Sequence, residues 1–434
     1  MHDSLRTFVR ASALGAIFTA TLAPTVSAND FAGAVYAMTN EFDGNQIVAY
    51  GRNEDGTLEL VGSFDTGGNG AAFDGGEGLD PLISANAIIP VRSRKAVLAV
   101  NAGSNTITSF RVNDDLSLER RSERTTDGIG PNSIAARRGI VYVSNIDADG
   151  IFAGEPDQEG SITGFRLNDD AVLERIPGST RYLGNRPAAL QFSPDGQFLV
   201  VSSINAGSAA LASGSTDEIV VYGILPNGRP TEQPLGAATS TLPFNSEGRN
   251  LPSAIGFDIV EQGGNQFVVV TEAREFQSDG SPPELELLQT GSVSTWLLTD
   301  DGDLVGINLD VPAGLSIDDG QRTACWLDFS ADGSYFWVSN ALESTLSTYS
   351  FDAGQIELIE EVAAAGTPPS PDDPFGTSDG WIDLWTSRDG KYLYQLYGLD
   401  GTIGVFAVDG AELTLIQEIE GDLPVSNTQG IIAF

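Results

Sequence analysis

Apolar and polar positions alternate with a period of two over short stretches, and each stretch ends at a turn. The cleanest example is 327–351, LDFSADGSYFWVSNALESTLSTYSF. Its pattern predicts strand, tight turn, strand, loop, strand. The turn is Ala331-Asp332-Gly333, where glycine takes the positive φ that other residues resist. β-branched and aromatic residues flank it densely enough to predict strands buried between neighbours.

The unit recurs. Its second strand appears at 35–40 (VYAMTN), 96–101 (AVLAVN), 140–145 (IVYVSN), 198–203 (FLVVSS), 267–272 (FVVVTE), 335–340 (YFWVSN) and 392–397 (YLYQLY). A third strand with a polar–apolar beat follows each, at 46–52, 106–112, 161–167, 218–224, 292–298, 345–351 and 402–408. A fourth follows a polar turn, as at 355–362 and 412–419. Repetition outranks local propensity in deciding a fold. Seven four-stranded antiparallel units predict an all-β, seven-bladed β-propeller, which turns each sheet toward its neighbours and closes a ring.

The first unit lacks a first strand, and the C-terminus supplies one. Residues 428–434 (TQGIIAF) match first strands such as 253–259 (SAIGFDI). The C-terminal strand is therefore expected to join the first blade and remove the open edges. Within a propeller, the first-to-second and third-to-fourth turns share one face. Here those turns are short, whereas the longer connections at 66–82, 146–160, 204–217, 273–291 and 363–380 all fall on the opposite face. Long loops on a rigid scaffold concentrate binding and chemistry, so that face is expected to be functional.

Composition bounds the setting. Arg6 and Arg10 precede an apolar run at 11–22, which Pro24 ends before Val26-Ser27-Ala28. This reads as a secretory signal over 1–28 with cleavage after Ala28, leaving one domain at 29–434 in the periplasm or outside the cell. The run is too short to span a bilayer, so no membrane insertion is expected. The formal charge is −38 and Lys95 and Lys391 are the only lysines. Such a field repels phosphate backbones, which excludes nucleic-acid partners, and suits an acidic, soluble monomer in a salty medium. The lone Cys325 rules out an intramolecular disulfide, and the only histidine is His2 in the signal. A histidine-based triad and a zinc site are thereby excluded.

Three arginines precede first strands at one structural phase: Arg186, Arg249 and Arg322. Guanidinium donates in a planar fork that suits carboxylate or phosphate, so they are candidates for holding a small anionic substrate, with Arg274 beside them. The competing reading pairs each with the plentiful local acids. Glu41 and Glu272 follow second-strand ends and are the candidate general bases, against the reading that each is a solvated loop acid. Asn145, Asp147 and Asp149 resemble the first half of a calcium loop, but the closing glutamate is absent, with Pro156 in its place. Calcium is the one cofactor left open; none other is expected.

The blade motifs at 187–201 (PAALQFSPDGQFLVV), 99–112 and 323–348 resemble the lactonase family of seven-bladed propellers. That family includes 6-phosphogluconolactonase-like proteins and carboxymuconate cyclases, and the likeness is to its exported bacterial members. It implies lactone hydrolysis or cycloisomerisation at the channel mouth. Active members place an Arg-His pair after the proline of a first strand and a glutamate after the asparagine of a second. Those positions here hold Ala188 and Ala189 in the fourth blade, and Cys325 and Trp326 in the sixth. Asn132 follows Pro131 where histidine is usual, and only Asn40-Glu41 keeps the Asn-Glu pair. Asn132 and Trp326 thus join the candidate substrate contacts. Any lactone opening here would rely on a carboxylate-activated water. The alternative is a non-catalytic propeller that presents its looped face to a ligand or a protein.

Overall fold

A computed structural model of the chain describes residues 31–71, 79–146, 160–183, 186–204, 219–239, 249–276, 288–316, 320–368 and 378–434. Residues 1–30, which include the expected signal segment, and most of the long loops lie outside these residues. Seven antiparallel sheets form, each ordered from first strand to fourth. The third blade splits its outer strand into Leu173–Arg175 and Arg181–Tyr182. In the fifth, the first two strands lengthen to Leu251–Gln262 and Asn265–Phe276. Gly263 and Gly264, both at positive φ, join them in a two-residue hairpin that needs this backbone freedom at both positions.

The innermost strands are Ile88–Val91, Pro131–Arg137, Arg186–Phe192, Leu251–Gln262, Ala324–Phe329, Trp381–Thr386 and Ile431–Ala433. Each packs on the next, and the last packs on the first. Closure is made by Ile431–Ala433, which pairs antiparallel with Gly33–Met38 in the register Val35↔Ala433 and Ala37↔Ile431. The amide of Phe434 donates to the Ala34 carbonyl at 2.7 Å, and that of Met38 to the Gly430 carbonyl at 2.9 Å. The circle thus closes inside one sheet, by strand exchange between the chain ends.

Neighbouring blades are joined by buried apolar clusters and by hydroxyls reaching across. Tyr36 donates to the Leu116 carbonyl, Tyr142 to Gly228, Tyr349 to Pro312 and Tyr392 to Glu54. The asparagine that ends several second strands has a local task. The Asn101 amide donates to the hydroxyls of Thr106 and Thr108, and that of Asn340 to Thr345 and Ser347. Each ties the second strand to the third. The short-turn face repeats a Ser-x-Asp-Gly device: Ser193, Ser330 and Ser387 donate to Asp195, Asp332 and Asp389 at 2.6–2.8 Å. Gly196, Gly333 and Gly390 supply the positive φ that each turn requires.

Ile432 is fully buried at the closing joint. Ile432→Ala should cost about 2–5 kcal/mol, and deletion of residues 428–434 should abolish the cooperative transition. Both are read by urea unfolding of the purified chain. A truncated chain that melts like the parent would mean the ring does not depend on this strand.

Candidate functional site

The first-to-second strand pairing is interrupted by a bulge at one recurring phase. Register slips between Pro131 and Ser133 in blade 3, Pro187 and Ala189 in blade 4, and Ala324 and Trp326 in blade 6. The extra residues are Asn132, Ala188 and Cys325, the positions at which the sequence resemblance expects reactive groups. A bulge re-aims a side chain beside a site. Here the residues it presents are an amide, a methyl and a thiol, all buried.

What fills the space over them is the chain segment entering blade 2. Leu82, Ile83 and Ser84 are buried, and Ile83 belongs to the apolar cluster that contains Ala188, Ile255, Cys325, Trp326 and Ile382. Asp80, Ile83 and Asn86 all lie at positive φ, which for a β-branched residue is rare and persists only where surroundings impose it. Ser84 is the hub. Its carbonyl accepts from Trp326 Nε1 and Gln429 Nε2, both at 2.9 Å, and its hydroxyl donates to the Asn132 carbonyl at 2.7 Å. Asn132 donates in turn to the Pro187 carbonyl at 2.8 Å and accepts from the Ser144 hydroxyl. Asn132 and Trp326 therefore anchor a plug that closes the axis on the looped side.

The arginines lie at one end of their strands, as their phase predicts, and two of them have carboxylate partners. Arg249 donates to both oxygens of Asp310, at 2.8 and 3.2 Å, and to the Thr290 carbonyl at 2.9 Å. Arg322 pairs with Glu343. Arg186 is buried at the start of the blade 4 inner strand, and its surroundings disfavour the charged form. Blade 5 brings Arg249 and Arg274 together through Asp310, which lies 3.1 Å from Arg274. Arg274 also meets Glu272 Oε2 at 2.6 Å, and Ser292 donates to the same oxygen at 2.6 Å. Glu272 and Arg274 are wholly buried, and Glu272 Oε1 has no partner among the described residues. Glu272 stands where other blades place the strand-end asparagine, so the departure from VSN to VTE marks the network in the sequence. Asp310 and Ser292 carry no such mark and were missed.

Glu41 is on an exposed turn, where only its backbone carbonyl is bound, by the amides of Gly44 and Gly70. It is separate from the Glu272 network. The Asn145 amide donates to Ser161, while Asp147 and Asp149 lie outside the described residues. Among the described residues no three His, Cys, Asp or Glu side chains are placed to hold a metal ion.

Below the plug, carboxylates line the axis. Asp383 accepts from the Gly430 amide at 2.9 Å, linking blade 7 to the closing strand, and Asp328 accepts from the Phe329 and Thr386 amides. Burial pushes both up to about 7, with the Asp258 charge adding to the effect on Asp328. Asp80, bound by Gln429 and Ser84, is likewise raised well above the usual carboxylate range, by burial and then by the Asp383 charge.

This architecture defines a seven-bladed β-propeller closed by strand exchange. Within that class the chain resembles the lactonase propellers: residues 311–424 match the family described as lactonase, 7-bladed beta-propeller. A protein of Bacteroides uniformis provisionally described as a 6-phosphogluconolactonase superposes with TM-score 0.62 at 16% identity, covering 93% of this chain and 100% of that one. The periplasmic gluconolactonase of Pseudomonas aeruginosa gives 0.59 at 16%, covering 92% and 98%. A Sulfolobus tokodaii protein named as a hypothetical selenium-binding protein gives 0.62 at 12%, covering 92% and 93%. At such identities the likeness is one of fold. No curated protein matches the chain.

Two outcomes follow. Asp310→Ala leaves two buried guanidinium groups short of a carboxylate and should cost about 3–5 kcal/mol by urea unfolding; a loss below about 1 kcal/mol would mark the pair as solvent-screened. For Asp328 and Asp383 the folded state holds protons more tightly than the unfolded chain, whose aspartates titrate near 3.8. Their contribution is complete below that value and is lost as pH rises toward about 7. Asp383→Asn should therefore raise Tm relative to the parent at pH 8 and lose that advantage near pH 4. An equal Tm difference at both would refute the assignment.

Proposed function

We propose that this lactonase-type propeller is exported and opens a small anionic lactone on its looped face, at the rim of blade 5 rather than on the plugged axis. The observation that carries the reading is Glu272. It is a fully buried carboxylate with one oxygen fastened by Arg274 and Ser292 and the other without a partner among the described residues. A free lone pair on a desolvated carboxylate is suited to accept a proton from water. In the proposed step Glu272 takes that proton as the water oxygen adds to the lactone carbonyl carbon. The ring C–O bond then breaks, and the proton passes to the departing alkoxide, leaving a hydroxy acid. Arg186, Arg249, Arg274 and Arg322 supply positive potential for the substrate anion in an otherwise acidic molecule.

A second reading has its own support. The bulge positions carry Ala188 and Cys325, which share a buried apolar cluster with Ile83, and Arg249 and Arg322 already hold carboxylates. These features fit a propeller whose axial chemistry has been lost and whose looped face binds a small anion or a protein. A panel of sugar-acid lactones assayed by pH-stat separates the two. The first reading expects turnover that falls about 100-fold or more in Glu272→Gln, with a raised KM in Arg186→Ala. Absence of turnover across the panel favours the binding propeller, and turnover unchanged in Glu272→Gln removes that residue from the mechanism.

A further inference from the structure

The short-turn face carries a charge pattern that the candidate site does not use. At the first-to-second turns, blade 2 presents Arg92, Arg94 and Lys95, blade 3 Arg137 and Arg138, and blade 7 Arg388 and Lys391. All are exposed except Arg94, which is half-buried. The same turns of blades 4, 5 and 6 hold no cation and carry Asp195, Glu261 and Asp332. Seven of the chain's 22 lysines and arginines thus stand in one arc around the axis, in a molecule of formal charge −38.

Pairing within the chain does not account for the arc. Arg94 and Lys95 reach Asp169 and Asp114, which are 98% and 94% exposed, where an ion pair is worth little. Asp389, the one acid in the turns of the arc, pairs with Arg52 of blade 1. Arg92, Arg137, Arg138, Arg388 and Lys391 form no ion pair with a described residue, and Arg92 donates to the Ala433 carbonyl. Like charges held side by side repel, and an opposing acidic surface relieves that repulsion.

The molecule carries such a surface itself. A diameter drawn through blade 4 sets blade 3 across from blade 5, blade 2 across from blade 6, and blade 7 across from blade 1. The signs are opposite in each pair. Arg137 and Arg138 correspond to Glu261, and Arg92, Arg94 and Lys95 correspond to Asp332. Arg388 and Lys391 correspond to Glu54 and Asp55, exposed on the third-to-fourth turn of blade 1. A pattern that changes sign across a diameter complements itself after a half-turn about that diameter. On the diameter lies the third-to-fourth turn of blade 4, where Leu225 is 43% exposed and Pro226 is also exposed. There each copy would meet the same apolar residues of the other. The other outer turns carry acids on both sides of the diameter, at Asp114, Asp169, Asp300 and Asp352, and at the rim of the face solvent and salt screen them.

We infer that two copies of this chain dock through their short-turn faces, about a two-fold axis running through blade 4, against the monomer that net charge alone suggests. The arginine arc of each copy then lies on acidic blades 5 and 6 of the other. Such a contact is isologous and closes with two copies. It uses the face opposite the looped rim and Glu272, so the lactone assay and the association assay fail separately. The net charge of each copy opposes association, but at 0.15 M salt repulsion is screened beyond about 8 Å while contacts across the interface persist.

The test measures molar mass by light scattering and sedimentation equilibrium on the folded chain in sodium chloride at about 0.15 M. Twice the chain mass is expected as concentration rises to about 100 µM. Arg137→Glu combined with Arg138→Glu, and separately Glu261→Arg, should each weaken association about tenfold or more, since each sets like charges opposite one another. Mixed in equal amounts, the two variants should dimerise again, because blade 3 of each then faces a blade 5 of opposite sign. A parent that keeps the single-chain mass throughout overturns the inference, as does a dimer unchanged in both variants. A mixture no more associated than its components refutes the two-fold pairing, and a mass that rises without a plateau refutes closure. Circular dichroism checks folding; should the double variant not fold, the same exchange is read with Arg138→Glu alone.

Discussion

Closure of the circle is the constraint from which the rest of the structure follows. A blade buries its faces only against its two neighbours, so six packed blades with a gap would expose two apolar sheet faces and a free edge. Pairing Ile431–Ala433 with Gly33–Met38 turns that open array into a ring in which every inner strand has two packed neighbours. It also sets the energetics of the axis. Seven inner strands converge on one narrow space, and whatever polar group points inward leaves bulk water.

One segment sets the character of the looped end of that space. Residues 79–86 cross from blade 1 to blade 2 through the mouth. Ser84 is held by groups from blade 1, blade 3 and blade 6. Ile83 shares a buried apolar cluster with Ala188 and Cys325 at the bulges. The strained backbone at Ile83 is over-determined by these partners, as rare conformations must be. At the looped end the described residues of the plug form a polar network around Ser84 beside buried Ile83, and Asp258, Asp328 and Asp383 lie further along the inner strands. Arg249 and Arg274 are gathered into one network with Asp310 and Glu272, while Asp258, Asp328 and Asp383 form no ion pair among the described residues.

Periodicity made the blades legible. Second and third strands carry an alternation that survives seven variations, and the Asp-Gly turns recur at fixed offsets, so strand order, blade number and closure could all be read before any coordinates. The plug could not. Its key residues, Ser84 and Ile83, belong to no repeat, and the partners of the Ser84 hydroxyl and carbonyl lie between 48 and 345 residues away. Sequence spacing says nothing about such contacts. The rim network was half legible. Arg249 and Glu272 stand out because they break the blade pattern, whereas Asp310 sits in an outer strand among many acids and is distinguished only by what the fold places next to it. Asp258, Asp328 and Asp383 were visible as polar residues inside apolar runs (GFDIV, WLDFS, WIDLW). Their meeting on the axis needed the ring.

The bulges carry the argument one step further. Asn132, Ala188 and Cys325 occupy equivalent kinks in three blades, so the backbone keeps the device that aims a residue at the mouth. A bulge that only ended pairing would tolerate any side chain of the right polarity for solvent. These three are buried, and each matches what lies above it: an amide that completes the Ser84 network, and two small apolar groups that leave room for Ile83. Ile83, Ala188 and Cys325 belong to one buried apolar cluster, so a histidine or arginine at Ala188 would place a polar group in that cluster. The buried charged residues that break the blade pattern stand instead in blade 5, where Glu272 meets Arg274 and Arg274 meets Asp310.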